Sequence, residues 1–487
     1  MKHLKDLLYK VNLKGVRGNV HTAVHSVAFD SRQVEKDSLF VAVVGTVSDG
    51  HQYIGQAIEA GAVAVVCEHD NHMEERYPNV TFCYVENSAK ALGIIASNFY
   101  DNPSYHLKVV AVTGTNGKTT VATQLYETFR KLGYRSGLIS TVKIQIGLDE
   151  RPATHTTPDA LTLQRYFREM VESGVEYCFI EASSHGIHQE RLAGTYITGA
   201  IFTNISHDHL DYHKTFANYL AAKQKLFNEL PSKAFALYNA DDRNGSIMVQ
   251  NTRARKYSYA LKQKADFHCK VIENSIGGLT LRIGGADVYT TLTGEFNAYN
   301  LLAVYGAASL LNADENLLLM TISSLRPVEG RFETLAGPDD RIAVVDYAHT
   351  PDALLNVFKT LNHSRKNDQK IIAVMGCGGD RDKAKRPQMG KIAAEWSDRL
   401  IITSDNPRWE DPLQIMDEIE AGIDLHLRRK CHKIPDRREA IRLALSLAAK
   451  GDIVLVAGKG HEKYQEIKGV KYPFDDKQVI IDYFNHL

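Results

Sequence analysis

Val109-Val110-Ala111-Val112-Thr113-Gly114-Thr115-Asn116-Gly117-Lys118-Thr119-Thr120 changes character twice within one short stretch. Its apolar, β-branched start reads as a buried strand. Glycines then break the run, and Lys118-Thr119-Thr120 opens the amphipathic spacing Val121, Leu125, Phe129, Leu132. Strand, glycine loop and helix in that order make a phosphate-binding turn. The glycines let backbone N–H groups face an anion, and the helix N-terminus adds its partial positive charge. Lys118 is placed to reach the outer phosphates, and the hydroxyl of Thr119 or Thr120 to hold Mg²⁺. In the general pattern G-x-x-x-x-G-K-[ST], Val112 stands at the first glycine, so this is the shorter G-x-x-G-K-T form. Its place between a strand and a helix favours nucleotide binding over an ordinary turn.

Outward from this loop, residues 106–333 alternate strands and helices, the pattern of a parallel sheet wound by helices. Pro158-Asp159 starts a helix that stops at Gly174, and the strand over 175–182 ends in Glu181-Ala182-Ser183-Ser184-His185. Ligands of open α/β sheets gather at the carboxyl ends of strands, the edge that carries the phosphate loop. A carboxylate ending an apolar strand needs a partner, and Mg²⁺ is the natural one for Glu181. Residues 200–204 repeat the device and lead into His207-Asp208-His209-Leu210-Asp211-Tyr212-His213. That density suits a metal or phosphate site, with a hydrogen-bonded loop as the alternative. Zinc fits less well, since no H-E-x-x-H or cysteine spacing accompanies it. Lys223, in a helix, reads on its own as a surface lysine. Gly294 to Asn300 opens another helix, and Val328-Glu329-Gly330-Arg331-Phe332-Glu333 closes the unit.

A second α/β unit runs from 334 to 487, with apolar strands over 342–347, 370–375, 400–404 and 453–457. The loops after them carry polar density: Asp346-Tyr347-Ala348-His349, Gly378-Gly379-Asp380-Arg381-Asp382, Asp405-Asn406-Pro407-Arg408 and Gly458-Lys459-Gly460-His461-Glu462. Gly376-x-Gly378-Gly379 lacks the G-x-G-x-x-G spacing of a dinucleotide site. Residues 1–105 form a unit ahead of the phosphate loop, bounded by the turn Asp101-Asn102-Pro103. Within it Asp30-Ser31-Arg32 reads as a turn in preference to a substrate-contacting strand end.

The totals agree with a soluble enzyme. A chain of 487 residues divides into about three domains of ~150 residues each. Lys+Arg and Asp+Glu are both 58, so no net charge draws the chain to nucleic acid or an anionic membrane. No C-x-x-C pair occurs among the six cysteines, which read as buried thiols of a reducing compartment. The start, Met1 to Leu8, reads as a mixed-charge helix without a signal core, and no apolar run is long enough to span a membrane. A cytoplasmic protein is expected, a monomer by default.

Taken together, Gly114-Thr115-Asn116-Gly117-Lys118-Thr119, Glu181-x-Ser183-Ser184-His185, Thr203-Asn204 with Asp208-His209-Leu210-Asp211-Tyr212-His213, and Asn297-x-x-Asn300 resemble the Mur ligase family. These are ATP-dependent amide-forming enzymes of peptidoglycan precursor synthesis. Asp405-Asn406-Pro407-Arg408-Trp409-Glu410-Asp411-Pro412 resembles the signature of the members that add meso-diaminopimelate in place of L-lysine. The resemblance implies three α/β domains: an N-terminal UDP-sugar domain (1–105), a central ATPase-type parallel sheet (106–333) and a C-terminal Rossmann-like amino-acid domain (334–487).

It also implies roles. Gly114, Thr115, Asn116, Gly117, Lys118, Thr119 and Thr120 would bind ATP with Asn300, Arg331 and Asp346. Thr119, Thr120, Glu181 and His209 would serve Mg²⁺, joined by Lys223 as a carbamate made from CO₂. Lys118, Glu181, His209, Lys223 and Arg331 would carry catalysis. UDP-N-acetylmuramoyl-L-alanyl-D-glutamate would meet Ser31, Thr156, Thr157, Ser183, Gln189 and Arg191. Meso-diaminopimelate would meet Arg386, Asp405, Asn406, Pro407, Arg408, Gly458 and Glu462. An arginine fork can grip the distal carboxylate of that amino acid, which lysine lacks. The alternatives are a lysine-adding relative, a folylpolyglutamate-type ligase, and a nucleotide-gated binder without catalysis. Arg408 argues against the first, and the set Glu181, His209, Lys223 and Arg331 against the last.

Overall fold

Strands and amphipathic helices assemble, in the computed structural model, into three main sheets among the described residues (1–45, 48–70, 72–366 and 368–486), of five, eleven and six strands. The five-stranded sheet runs in the order Leu13–Arg17, Thr81–Val85, Ala62–Cys67, Ser38–Val41, Ser26–Ala28, parallel except at its first pair. The expected N-terminal helix is only one turn, Leu4–Leu7. Lys2–His3 is instead a short strand paired with Ala23–Val24, while Leu4 and Leu7 enter the core.

The eleven-stranded sheet holds the phosphate loop. Seven strands are parallel, from Ser136–Ile139 through Tyr177–Glu181, Lys108–Thr113, Gly199–Phe202, Phe235–Asn239 and Arg255–Ala260 to Phe267–Ser275. Antiparallel strands extend both edges, a departure from the wholly parallel sheet read in the sequence. Glycines with positive φ make the tight reversals, Gly147 (φ 58°) at one edge and Gly284-Gly285 (58° and 89°) at the other. Helices cover both faces. Lys118–Lys131 buries Val121, Leu125 and Phe129 beside the nearly all-round apolar helix Glu295–Leu310. Across the sheet, Ala160–Glu172 and Phe216–Asn228 supply Leu163, Phe167, Tyr219 and Phe227. Asp159 and Thr215 cap those helices by accepting N–H bonds from Thr162 and Asn218.

The six-stranded sheet has the order Glu333–Ala336, Ile342–Asp346, Ile453–Ala457, Ile371–Met375, Arg399–Ile402, Cys431–Lys433, parallel after its first pair. Five of the six cysteines are buried and all are free. Among the described residues no helix is long and apolar enough to cross a membrane. Beneath this sheet Arg437 and Asp476 form a fully buried bidentate ion pair, 2.8 and 2.7 Å, and the same guanidinium donates to the Ala457 carbonyl.

Replacing Asp476 by alanine leaves that guanidinium without its counter-charge. Urea unfolding should show a loss of about 3–5 kcal/mol. A loss below about 1 kcal/mol would mean that the pair is not what holds helix Asp476–Asn485 to the sheet.

Candidate active site

The carboxyl ends of the strands in the two larger sheets face one cavity of about 1900 Å³. The chain's chemistry gathers there because each strand ends in a loop whose backbone N–H and C=O groups lie outside the ladder. Thr115 and Asn116 donate their N–H groups to the Asn204 carbonyl (2.8 Å) and side-chain oxygen (2.9 Å), which sets the phosphate loop against the end of the neighbouring strand. Gly117 caps helix Lys118–Lys131 with φ 86°, and a Cβ there would lie 2.6 Å from Asn300 Oδ1. Glycine is therefore required for both conformation and space. Lys118 Nζ donates to the Gly114 and Thr115 carbonyls, 2.9 Å each, and burial lowers its pKa.

Glu181 has no exposed surface. Its Oε2 accepts from the hydroxyls of Thr119 (3.0 Å) and Thr141 (3.2 Å), and its Oε1 from the Thr141 N–H (2.7 Å). Thr119, having donated its proton, accepts from Arg331 Nη2 at 3.0 Å. The Arg331 guanidinium lies over the Tyr347 ring at 4.4 Å, and its Nε is buried without a partner among the described residues. That orphaned donor beside the phosphate loop suits an anionic ligand. Asp346 accepts N–H bonds from Phe332 and Ala348, 2.7 Å each; burial raises its pKa to about 6 against the pull of Arg331.

Lys223 is not a surface lysine. Only 1% of it is exposed, and its Nζ donates to the Gly114 carbonyl at 2.8 Å. Burial, with Lys118 beside it, drives its pKa well below the usual lysine value, which favours the neutral amine, the form that adds CO₂. His209 (φ 55°) is kept neutral, burial lowering its pKa to about 3. Its neighbour Asp208, pushed up by burial, is nonetheless held near 2 by His209, His349, Lys385 and Lys118. Thr119 and Thr120 hydroxyls, the Glu181 carboxylate and a neutral His209 are a hard, oxygen-dominated set that fits Mg²⁺. An ammonium at Lys223 would oppose such an ion, whereas a carbamate would join the set.

Two further walls meet the same space. Thr157 Oγ1 donates to the Glu181 carbonyl (2.7 Å) and accepts from the Ser183 N–H (3.0 Å). Arg191 donates to the Thr157 carbonyl (2.6 Å) and to Gln189 Oε1, and the Thr156 hydroxyl donates to that of Thr141, whose own proton is on Glu181. Across the cavity stand Asp405, Asn406, Arg408, Gly458 and Glu462. Asn406 donates to Glu462 at 2.7 Å, and a Cβ on Gly458 would come within 2.6 Å of the Asp405 carboxylate. Arg408 adopts φ 53°, donates to the Gly379 carbonyl at 2.7 Å and pairs with Glu466 at 3.2 Å.

Four expected site residues do not line the cavity: Gly114, whose carbonyl accepts from Lys118 and Lys223, and three more. Ser31 lies in a turn capped by Asp30 and donates to Gln56 at 3.2 Å. Pro407 has its carbonyl against Gly379. Arg386 is buried beneath the loops, its guanidinium held by Glu410, Glu418 and the Gly378 carbonyl. The sequence reading missed Thr141, which clamps Glu181 from an edge loop with no motif of its own. It also missed the hairpin Tyr464–Ile467 and Val470–Pro473, whose turn residues Lys468 and Gly469 (φ 49° and 77°) carry a short-hairpin signal. That hairpin is stitched to the 404–408 loop: Gln465 donates to the Asp405 carbonyl, and Arg408 N–H to the Glu466 carbonyl.

Family models described as Mur ligase family, catalytic domain, as Mur ligase middle domain, and as Mur ligase, glutamate ligase domain match residues 23–100, 112–308 and 330–460. The chain is 52% identical to the UDP-N-acetylmuramoyl-L-alanyl-D-glutamate--2,6-diaminopimelate ligase of Cytophaga hutchinsonii, over 98% of each chain. It is 50% identical to the ligase of the same name from Bacteroides thetaiotaomicron, over 99% of this chain and 100% of that one. A solved structure of a ligase of that name is 33% identical with a TM-score of 0.69, covering 100% of this chain and 99% of that one. The MurF ligase from Thermotoga maritima in complex with ADP shares the fold at 19% identity and a TM-score of 0.64, over 95% and 97% of the chains.

Gly117→Ala tests the phosphate loop. The added methyl meets Asn300, so ADP affinity by calorimetry should fall at least about tenfold, ~1.4 kcal/mol. Unchanged affinity would place the nucleotide elsewhere.

Proposed function

The chain belongs to the Mur ligase family, and on that premise we propose that it joins meso-diaminopimelate to UDP-N-acetylmuramoyl-L-alanyl-D-glutamate in peptidoglycan precursor synthesis. It is an ATP-dependent ligase of small-molecule substrates. One observation carries the finer reading: an arginine-bearing loop, Asp405 to Arg408, opens onto the cavity that holds the phosphate loop.

The reaction needs a leaving group, because a carboxylate is a poor acyl donor. A D-glutamate carboxylate oxygen attacks the γ-phosphorus and ADP departs, leaving an acyl phosphate. The incoming amine attacks the acyl carbon, and the tetrahedral adduct collapses to amide and inorganic phosphate, the amine protons passing to base. Alignment and charge neutralisation are what the protein must provide. Lys118 and Arg331 bind phosphoryl oxygens, while Asn300 and Asp346 serve the adenosine end. Thr156, Thr157, Ser183, Gln189 and Arg191 hold the muramoyl-dipeptide, with Ser31 at the uridine end. Asp405, Asn406, Gly458 and Glu462 receive the amino acid, and Arg408 its distal carboxylate. Arg386 and Pro407 support that loop from behind. Thr119, Thr120, Glu181, His209 and a carbamylated Lys223 would hold Mg²⁺, which when bound supplies positive charge to the phosphate oxygens. We divide the chain at 105 and 333 into UDP-sugar, ATP and amino-acid domains. We take the enzyme to work in the cytoplasm as a monomer.

Arg408→Ala should lower kcat/KM for diaminopimelate by about 10²–10³-fold, by leaving its distal carboxylate unpaired, while KM for ATP stays within about twofold. Equal losses toward both substrates would make Arg408 structural. Lys223→Ala should be nearly inactive and partly rescued by short carboxylates. Full activity without rescue would remove the carbamate from the mechanism.

A further inference from the structure

Lys459 follows the central strand Ile453–Ala457 of the six-stranded sheet, and its side chain is 0% exposed. Its Nζ donates to Asn406 Oδ1 at 3.0 Å and Glu462 Oε2 at 3.3 Å, and lies 3.8 Å from Asp405 Oδ1. Three of the residues facing the amino acid therefore converge on a single hidden ammonium. Asn406 closes the group by donating to the same Glu462 oxygen. A buried lysine of this kind would merely be balancing nearby carboxylates if those carboxylates had no further task. Here they line the cavity, and Lys459 stands behind them.

Resting on the function proposed above, we propose that Lys459 is the positioning residue of the amino-acid pocket: it holds the Asp405 and Glu462 carboxylates together, with Asn406 pinned between them, as the acceptor pair for the ammonium of the incoming diamino acid. Asp405 is the member whose charge is most at risk. Burial pushes its carboxyl up, and Lys459, then Arg437, the Asn406 N–H and Arg408 pull it below the usual aspartate value. The other groups around it do not replace that charge. The Tyr347 and Tyr464 phenols and the Cys377 thiol are pushed up by burial and stay neutral, Glu462 is an acid, Arg437 is committed to Asp476, and Arg408 is paired with Glu466. Without Lys459, Asp405 should take up a proton nearer neutrality and stop accepting from an ammonium.

The test is steady-state kinetics of the whole enzyme with ATP, the nucleotide substrate and meso-diaminopimelate between about pH 6 and 8. Wild type should show a KM for diaminopimelate that is flat across this range. Lys459→Gln, which keeps a donor without the charge, and Lys459→Met should raise that KM about 10–100-fold. In both, KM should climb further as the pH falls, with KM for ATP and the nucleotide substrate within about twofold of wild type. Parallel losses for all three substrates, or a pH-independent rise, would make Lys459 structural and overturn the proposal. So would a wild-type KM for diaminopimelate that already climbs toward pH 6, a result that needs no variant to fold. No diaminopimelate-dependent turnover by wild type at any pH would overturn the function itself, and this inference with it.

Discussion

A single carboxylate with no access to water, Glu181, fixes the relation between the two larger sheets. An ionised group at the end of an apolar strand is costly unless its lone pairs are taken. Three donors take them, two from Thr141 and one from Thr119. Because Thr119 spends its only proton on Glu181, its oxygen is left to accept from Arg331. Arg331 belongs to the segment leading into the six-stranded sheet and lies on Tyr347, at the end of a strand of that sheet. One chain of contacts thus runs from the sheet beneath the phosphate loop to the opposite wall of the cavity.

The two walls have different chemistry. Around the phosphate loop Lys118 and Arg331 stand beside the Glu181 and Asp208 carboxylates, with His209 kept uncharged and Lys223 pushed toward its neutral amine by burial. On the other side, Asp405 and Glu462 face the same space with Arg408 beside them. On the function proposed, a phosphoryl donor and an amine nucleophile take separate berths about this one open volume. Water must be kept from an acyl phosphate between them, so apposition of the walls belongs to the chemistry.

Much of this was legible in the chain because it is local. The phosphate loop is a change of periodicity within one stretch, and the strand-end polar clusters repeat after Glu181, Thr203, Asp346, Asp405 and Gly458. What escaped is tertiary. Nothing in the helix around Lys223 distinguishes it from a solvated lysine; it is buried because that helix packs below Gly114. Arg386 carries the charge of a ligand-binding residue, yet Glu410 and Glu418 fold over it. The antiparallel edges of the central sheet rest on Gly147 and Gly284-Gly285, turn signals that the alternation of strands and helices masked. Thr141 clamps Glu181 from a loop with no periodicity to mark it.

On the function proposed, one cavity couples ATP cleavage to amide formation with a diamino acid bearing a distal carboxylate. The most direct test of that coupling is phosphate release by the whole enzyme with ATP, Mg²⁺ and UDP-N-acetylmuramoyl-L-alanyl-D-glutamate, adding meso-diaminopimelate or L-lysine. Release with diaminopimelate, and little or none with lysine, is the expected result. Release with lysine and not diaminopimelate would keep the ligase and contradict the role given to Arg408; release with neither would contradict the whole assignment of substrate.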